Sequence, residues 1–294
     1  MLSSLSKFLR ASPRTQAVMV SEVFLFPLIW LRSYLLWIGV PWKKRRSLHA
    51  RNVADTRMLL IFNEWAGYPP LREKEVDGRR YRVGRQFLFQ ALPAVREALP
   101  CELRCVADVC CDPGQTTPPD MSGHGIELRE RENHGFDIAG YFMRLIQLQP
   151  APEDLVVFCN SSVPEQGYAR IPELAGILAA DPGVGLVGLS SCARLYASIL
   201  PLNLVPHIQS YLVMLRYGDL QTLFADYLSD SAIDRRFPTH TDAKRLGEIM
   251  ISYRYLRAGY ALATSSGRGA MRFHPSQGIR ASGMPLQDHR GMAT

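Results

Sequence analysis

Apolar residues in this chain fall into short continuous runs, separated by longer stretches in which they recur at helical spacing. Met58, Leu59, Leu60, Ile61 and Phe62 form a buried-strand run that ends in Asn63-Glu64. Across residues 82–99, Val83, Phe87, Leu88, Leu92, Val95 and Leu99 keep helical spacing, and Pro100 marks the end of that helix. Residues 101–109 alternate like a strand until Asp112-Pro113-Gly114 breaks the pattern. A strand at 125–131, a helix at 136–148 and a strand at 155–159 come next. They are followed by a helix at 171–180, stopped by Asp181-Pro182-Gly183, and by strands at 184–189 and 211–216. Helical spacing returns at 220–228 and 243–258. This alternation predicts an α/β fold, a mainly parallel sheet covered by helices on both faces.

The N-terminal pattern differs. Residues 17–40 are apolar over a length able to cross a bilayer, but Glu22 and Arg32 interrupt the run and Pro27 lies near its middle. Each charge held at the bilayer centre costs roughly 2.5–3.5 kcal/mol. The two are ten residues apart, about 15 Å along a helix, too far for a direct ion pair. Trp30, Tyr34, Trp37 and Trp42 suit the headgroup region, and Lys43-Lys44-Arg45-Arg46 attracts anionic lipid. A helix or helical hairpin in one leaflet fits these features best; a true span and an amphipathic helix packed on the protein's own core are the alternatives. The chain thus divides into a membrane-associating segment at 1–46, an α/β domain at 47–266, and a Gly-, Ser- and Pro-rich flexible tail at 267–294.

Composition changes this picture little. A hydrophobic content of 47% with 21% charged residues is ordinary for a globular protein. The net charge of +7 suits phosphorylated substrate, anionic lipid or nucleic acid. No nucleic-acid motif accompanies it, so nucleic acid is not an expected partner. The six cysteines form no CxxC pair and read as reduced, mostly buried thiols.

The chemistry concentrates at strand ends. The strand at 125–131 runs into Asn133-His134-Gly135-Phe136-Asp137, and the strand at 155–159 into Asn160-Ser161-Ser162. Polar strand ends joined by a helix are where an open α/β sheet places its ligand, which makes a sugar-nucleotide enzyme the leading expectation. A glycine lets backbone approach a nucleotide closely, and neighbouring polar side chains read hydroxyls. A helix N-terminus whose Asp137 only complements the dipole is the rival reading. Asn160 and Ser162 can equally be plain strand-end caps. His207, Gln209 and Tyr211 alternate in an extended segment and are expected to share one face, suited to sugar hydroxyls. Glu248 lies in a helix, four residues from Lys244, and reads either as a general base or as half of a surface ion pair. Asp242 and Asp219 are weaker substitutes, and His274 and His289 lie in the tail.

Five segments occur in an order that resembles the rhamnan synthesis protein F-like glycosyltransferases. They are Asn133-x-Gly135-x-Asp137, Asn160-Ser161-Ser162, Gly185-Leu186-Val187-Gly188, His207-Ile208-Gln209-Ser210-Tyr211 and Glu248-x-x-x-Ser252. The resemblance spans residues 58–264 and implies a GT-A fold and a role in bacterial surface polysaccharide synthesis. It further implies hexosyl transfer with inversion, from a nucleotide-sugar donor to a glycan or lipid-linked acceptor, at the cytoplasmic face of the plasma membrane. By the same resemblance Asn133, Gly135, Asp137, Asn160, Ser161 and Ser162 bind donor, His207, Gln209 and Tyr211 border the acceptor, and Glu248 is the base. One departure matters: Ser161 stands where the family pattern has an acid, and a hydroxyl is a poor Mg²⁺ or Mn²⁺ ligand. Either Asp137 with another group then binds the divalent metal, or basic residues take over its part, or the activity is lost. The rival to an enzyme is a non-catalytic sugar-nucleotide or glycan-binding scaffold of a polysaccharide assembly complex.

Overall fold

The computed structural model describes residues 8–25, 27–28, 31, 44–76, 79–194 and 204–265. Half of the predicted leaflet segment at 17–40, together with Trp30, Tyr34, Trp37 and Trp42, and the tail with His274 and His289 lie outside the described residues.

Seven strands form one sheet: β1 (Arg57–Trp65), β4 (Glu102–Cys111), β5 (Glu127–Glu132), β6 (Leu155–Asn160), β7 (Val184–Gly188), β10 (Leu212–Arg216) and β11 (Ala261–Thr264). Their order is β11-β7-β10-β6-β1-β4-β5. Every pairing is parallel except those of β10, which runs antiparallel to both β6 and β7. Two small ribbons stand apart, β2 (Arg72–Val76) with β3 (Arg79–Val83), and β8 (Ser191–Arg194) with β9 (Leu204–Ile208). The β8–β9 ribbon is inserted between β7 and β10.

The central strands carry near-continuous apolar runs because both faces are covered. Met58, Leu60 and Phe62 join one core with α2 (Arg85–Ala98) and α4 (Ile171–Ala180). Leu59 and Ile61 join the other, with α3 (Phe136–Leu148), α5 (Tyr217–Leu223), α6 (Ala225–Leu228) and α7 (Ile249–Ala258). The mainly parallel, doubly covered α/β sheet is as the sequence predicts. Helices 136–148 and 171–180 also fall at their expected positions.

Other expectations need correction. The helix expected over 82–99 begins only at Arg85, since Arg82 and Val83 belong to β3. The segment 220–228 breaks into two helices at Phe224. The helix expected over 243–258 is π-helical over Ala243–Glu248 before α7 begins. The strands leading to Asn133 and Asn160 are not sheet neighbours: β4 and β1 lie between β5 and β6.

At the N-terminus, α1 (Pro13–Phe24) starts from Ser12, whose hydroxyl accepts from the Thr15 N–H. It docks through polar residues. Thr15 and Ser12 donate to Asp242 Oδ1, and Glu22 is buried against Arg245 at 2.9 Å. Glu22 is thus neutralised inside the protein rather than carried as a charge in lipid. The buried stripe is Thr15, Met19 and Glu22, while Val20, Val23 and Phe24 face outward. Among the described residues no helix is long and apolar enough to cross a membrane.

Candidate active site

Strands β4 and β5 extend the sheet to one side of β1, and β6 returns on its other side. The carboxyl ends of β1 and β6 therefore flank a topological switch point, where an open α/β sheet leaves a crevice. A cavity of about 420 Å³ opens there. Asn63 and Trp65 come from β1, and Asn160, Ser161 and Ser162 from the end of β6. Gln209, Ser210 and Tyr211 precede β10, whose reversed direction brings its amino end to the same edge.

Helix α3 crosses above these strand ends. Its approach depends on Gly140, where a Cβ would fall 2.3 Å from both Asn63 Nδ2 and Asp108 Oδ2. Asp108 is fully buried and paired with Arg131 at 2.5 Å and with Arg144 of α3 at 2.7 Å, and the two arginines also donate to nearby carbonyls and to Gln147. Arg131 also donates to the carbonyls of Glu132, His134 and Phe136, which fixes the 133–137 turn. Within that turn Phe136 sits at φ 58°, a left-handed conformation uncommon for a bulky side chain and a form of local strain.

This turn delivers Asp137 to the β6 end, where the Asn160 amide donates to Asp137 Oδ2 at 2.5 Å. The two polar segments meet although their strands do not, because the turn after β5 carries Asp137 across to the β6 end. Asp137 keeps part of its surface open to the cavity. Burial nevertheless pushes its carboxyl above the ordinary value, against the pull of the Asn160 hydrogen bond and of Lys244, Arg131 and Lys74.

The opposite wall is the π-helical turn, a sparsely used conformation that recurs at functional sites. Gly247 lets it close on α3, since a Cβ there would lie 2.7 Å from Ile138. That contact draws Asp137 and Glu248, the sequence neighbours of Ile138 and Gly247, into one cavity. Glu248 pairs with Lys244 at 2.8 Å, yet the pair is no surface ornament, because Glu248 is only 4% exposed. Its Oε2 also accepts from the Ser210 N–H and hydroxyl, and His207 Nε2 lies 3.9 Å from Oε1. Burial works to raise this carboxyl. Lys244 and His207, with hydrogen bonds from Lys244 and Ser210, overcome it and hold the group at about 2.

The remaining predicted residues take varied places. Asn133 lines the cavity rim and donates to Asp112, which also accepts from the Trp65 indole. Gly135 does not line the cavity. Its φ of 72° serves the turn, and its missing Cβ makes room for Ala139 and the Asp234 carbonyl, so its glycine is needed internally. His207, Gln209 and Tyr211 do not form one row, because β9 ends at Ile208 and β10 starts at Leu212. Gln209 and Tyr211 face the cavity and share the Ser190 hydroxyl, whereas His207 is buried behind Glu248. Ser252 accepts from the Ile208 N–H and so anchors β9 to α7. Asp242 binds α1, and Asp219 is buried under the Tyr260 hydroxyl.

Several residues at the cavity went unforeseen. Arg72 and Lys74 alternate on β2 and reach the β6 end. Arg72 Nη1 donates to Ser161 Oγ at 3.0 Å, and Lys74 Nζ to Ser162 Oγ at 3.2 Å. Arg72 also lies over the Tyr68 ring, 3.8 Å from its centroid. Behind Ser161, Glu64 Oε1 accepts from the Ser161 hydroxyl at 3.0 Å while Oε2 has no partner. Burial raises Glu64 to about 7, despite Ser161, Arg72 and Arg85.

These groups do not suit a divalent cation. Mg²⁺ and Mn²⁺ want convergent carboxylate oxygens. Asp137 already holds Asn160 and faces Lys244, Arg131 and Lys74, while Glu248 is taken by Ser210 and Lys244. Among the described residues, no group of three or more His, Cys, Asp or Glu is placed to hold a metal ion.

No protein-family model and no curated protein sequence matches the chain. Solved structures similar to it include a mannosyltransferase from Pyrobaculum calidifontis in complex with GDP-Man and Mn²⁺. That match has 14% identity and a TM-score of 0.40, covering 90% of this chain and 70% of the other. Another is mannosyl-3-phosphoglycerate synthase from Rubrobacter xylanophilus, with 12% identity, a TM-score of 0.40 and coverage of 79% and 73%. A third is a CMP:2-keto-3-deoxy-manno-octonic acid synthetase complexed with CTP, with 11% identity, a TM-score of 0.38 and coverage of 71% and 89%. Overlaps of this size assign no activity to the chain.

Proposed function

We propose that this protein is a glycosyltransferase that moves a sugar from a nucleotide-sugar donor to an acceptor hydroxyl, of the kind its motifs resemble. The observation behind this reading is the single cavity at the switch point, lined by Asp137, Glu248 and the Asn160-Ser161-Ser162 strand end together. In the reaction, the acceptor oxygen forms a bond to the anomeric carbon as the bond from that carbon to the donor diphosphate breaks. The electron pair of the broken bond leaves on the diphosphate oxygen, and the acceptor proton passes to a carboxylate. Attack from the far side inverts the anomeric centre.

A base works best when its pKa lies near the working pH. Glu248, held at about 2, is a weak proton acceptor. Asp137, pushed upward by burial, is better suited. We therefore give Asp137 the proton and Glu248 the task of holding Lys244 and Ser210 in place. Gln209 and Tyr211 border the acceptor, a growing glycan or lipid-linked saccharide of a bacterial surface polysaccharide. A non-catalytic sugar-nucleotide-binding scaffold is the second reading, favoured by Ser161 standing where the family pattern has an acid. Incubation with UDP-, GDP- and dTDP-sugars plus lipid-linked acceptors, followed by mass spectrometry, separates the two. Transfer supports the enzyme, and intact donors throughout support the scaffold.

The same reading puts the protein at the cytoplasmic face of the plasma membrane. Helix α1 turns its polar side to the domain and leaves Val20, Val23 and Phe24 outward, an apolar strip suited to lipid. Flotation with anionic vesicles is expected for the full chain and lost in Val20→Asp/Phe24→Asp. Equal flotation of both removes membrane docking through this face.

A further inference from the structure

We propose that Arg72, Lys74 and Lys244 form a cationic clamp that receives the donor diphosphate in the place of a divalent metal ion. This rests on the nucleotide-sugar reading above and specifies how the leaving group is handled.

Three observations support it. First, the strand-end position that would carry a metal-binding acid holds Ser161, and the space beside it is filled by cations. Arg72 holds the Ser161 hydroxyl at 3.0 Å and Lys74 the Ser162 hydroxyl at 3.2 Å. Second, the two side chains are delivered by one strand. Residues 72 and 74 share a face of β2, and β3 meets the segment after β6 through the bridge between Val83 and Pro164. The ribbon thus lays its cations along the β6 end. Third, Lys244 enters from the opposite wall, anchored by Glu248, and both Lys244 and Lys74 act electrostatically on Asp137.

The chemistry fits the leaving group. When the bond from sugar to diphosphate breaks, the departing oxygen gains a negative charge, and fixed cations in a partly desolvated cavity stabilise it. Arginine and lysine also supply complementary donors, a planar fork and a point charge. A divalent ion in the same space would meet three cations around one available carboxylate, an unfavourable arrangement.

Titration calorimetry with UDP, GDP and dTDP, each in EDTA and in Mn²⁺, tests the clamp. At least one nucleotide is expected to bind with the same affinity in both buffers. Arg72→Ala/Lys74→Ala should weaken that binding by about 100-fold. Arg82→Ala is the control: Arg82 lies on the same ribbon but pairs with exposed Glu165, and its variant should bind normally. Binding that requires Mn²⁺ overturns the clamp and leaves the donor reading standing. Unchanged affinity in the double variant overturns the clamp as well. Absence of binding in either buffer removes the donor reading and the clamp together.

Discussion

The two walls of the cavity each present one carboxylate, and the surroundings push the two in opposite directions. On the α3 wall, Asp137 has one amide partner and more distant cations, so burial wins and its proton affinity rises. On the π-helical wall, Glu248 is at least as enclosed, but Lys244, Ser210 and His207 converge on it and hold it at about 2. Burial alone decides neither; the number and distance of partners does. Paired groups with diverging proton affinities are a recurrent sign of divided roles in a site.

The largest expected effect follows from that division. Asp137→Asn should lower transfer by about 100-fold or more, the usual range for removing a general base. Donor affinity should change little. Glu248→Gln should lose less, about 10-fold, because it loosens Lys244 and Ser210 without removing the proton acceptor. The pH–rate profile sharpens the contrast. With Asp137 as base, the rate rises with pH through a value above its ordinary 3.8, and that acid limb persists in Glu248→Gln. A larger loss in Glu248→Gln than in Asp137→Asn would return the base to Glu248.

Next in size is a structural effect on the π-helical wall alone. That wall is braced from behind by α1, through the buried Glu22–Arg245 pair. Arg245→Ala strands Glu22 and should destabilise the protein by about 3 kcal/mol, read from urea unfolding. Hydrogen exchange should rise in α1 and in 243–248 but not in 133–137. Equal loosening of both walls would show that they are not separately supported.

The smallest effect concerns Glu64, behind the β6 end. Its folded-state value of about 7 lies above its ordinary 4.5, so folding takes up a proton between those values. Wild-type stability is therefore full below about 4.5 and falls as pH rises through about 7. Glu64→Gln keeps the shape without the charge. It should gain on the order of 1 kcal/mol at pH 8 and nothing at pH 4. A uniform change at both pH values would mean that Glu64 is not protonated on folding.

The sequence is legible where apolar periodicity carries the structure. Helices 136–148 and 171–180 and the central strands declare themselves because their packing on the sheet requires that spacing. The ribbon β2–β3 does not, since Arg72, Glu73, Lys74, Glu75, Arg79, Arg80 and Arg82 leave it too few apolar positions to show a pattern. Its one signal was Asp77-Gly78, a dipeptide favoured in two-residue hairpin turns. With the ribbon unseen, nothing in the apolar pattern singles out Arg72 and Lys74. Asp137 and Asn160 were visible as polar residues at element ends and Glu248 as an acid within a helix, but the surroundings of the two carboxylates depend on Lys244, Ser210 and His207, which meet only in the folded chain. The expected row of His207, Gln209 and Tyr211 failed for a related reason: alternation places residues on one face only while the strand continues, and this strand stops at Ile208.

The central claim is that the switch-point cavity holds the activated sugar, and a crystal structure of the protein soaked with UDP-, GDP- and dTDP-sugars tests it most directly. The account predicts a bound donor with its anomeric carbon between Asp137 and Glu248 and its diphosphate against Arg72 and Lys74. A donor bound elsewhere on the molecule, with this cavity holding only water, would contradict it.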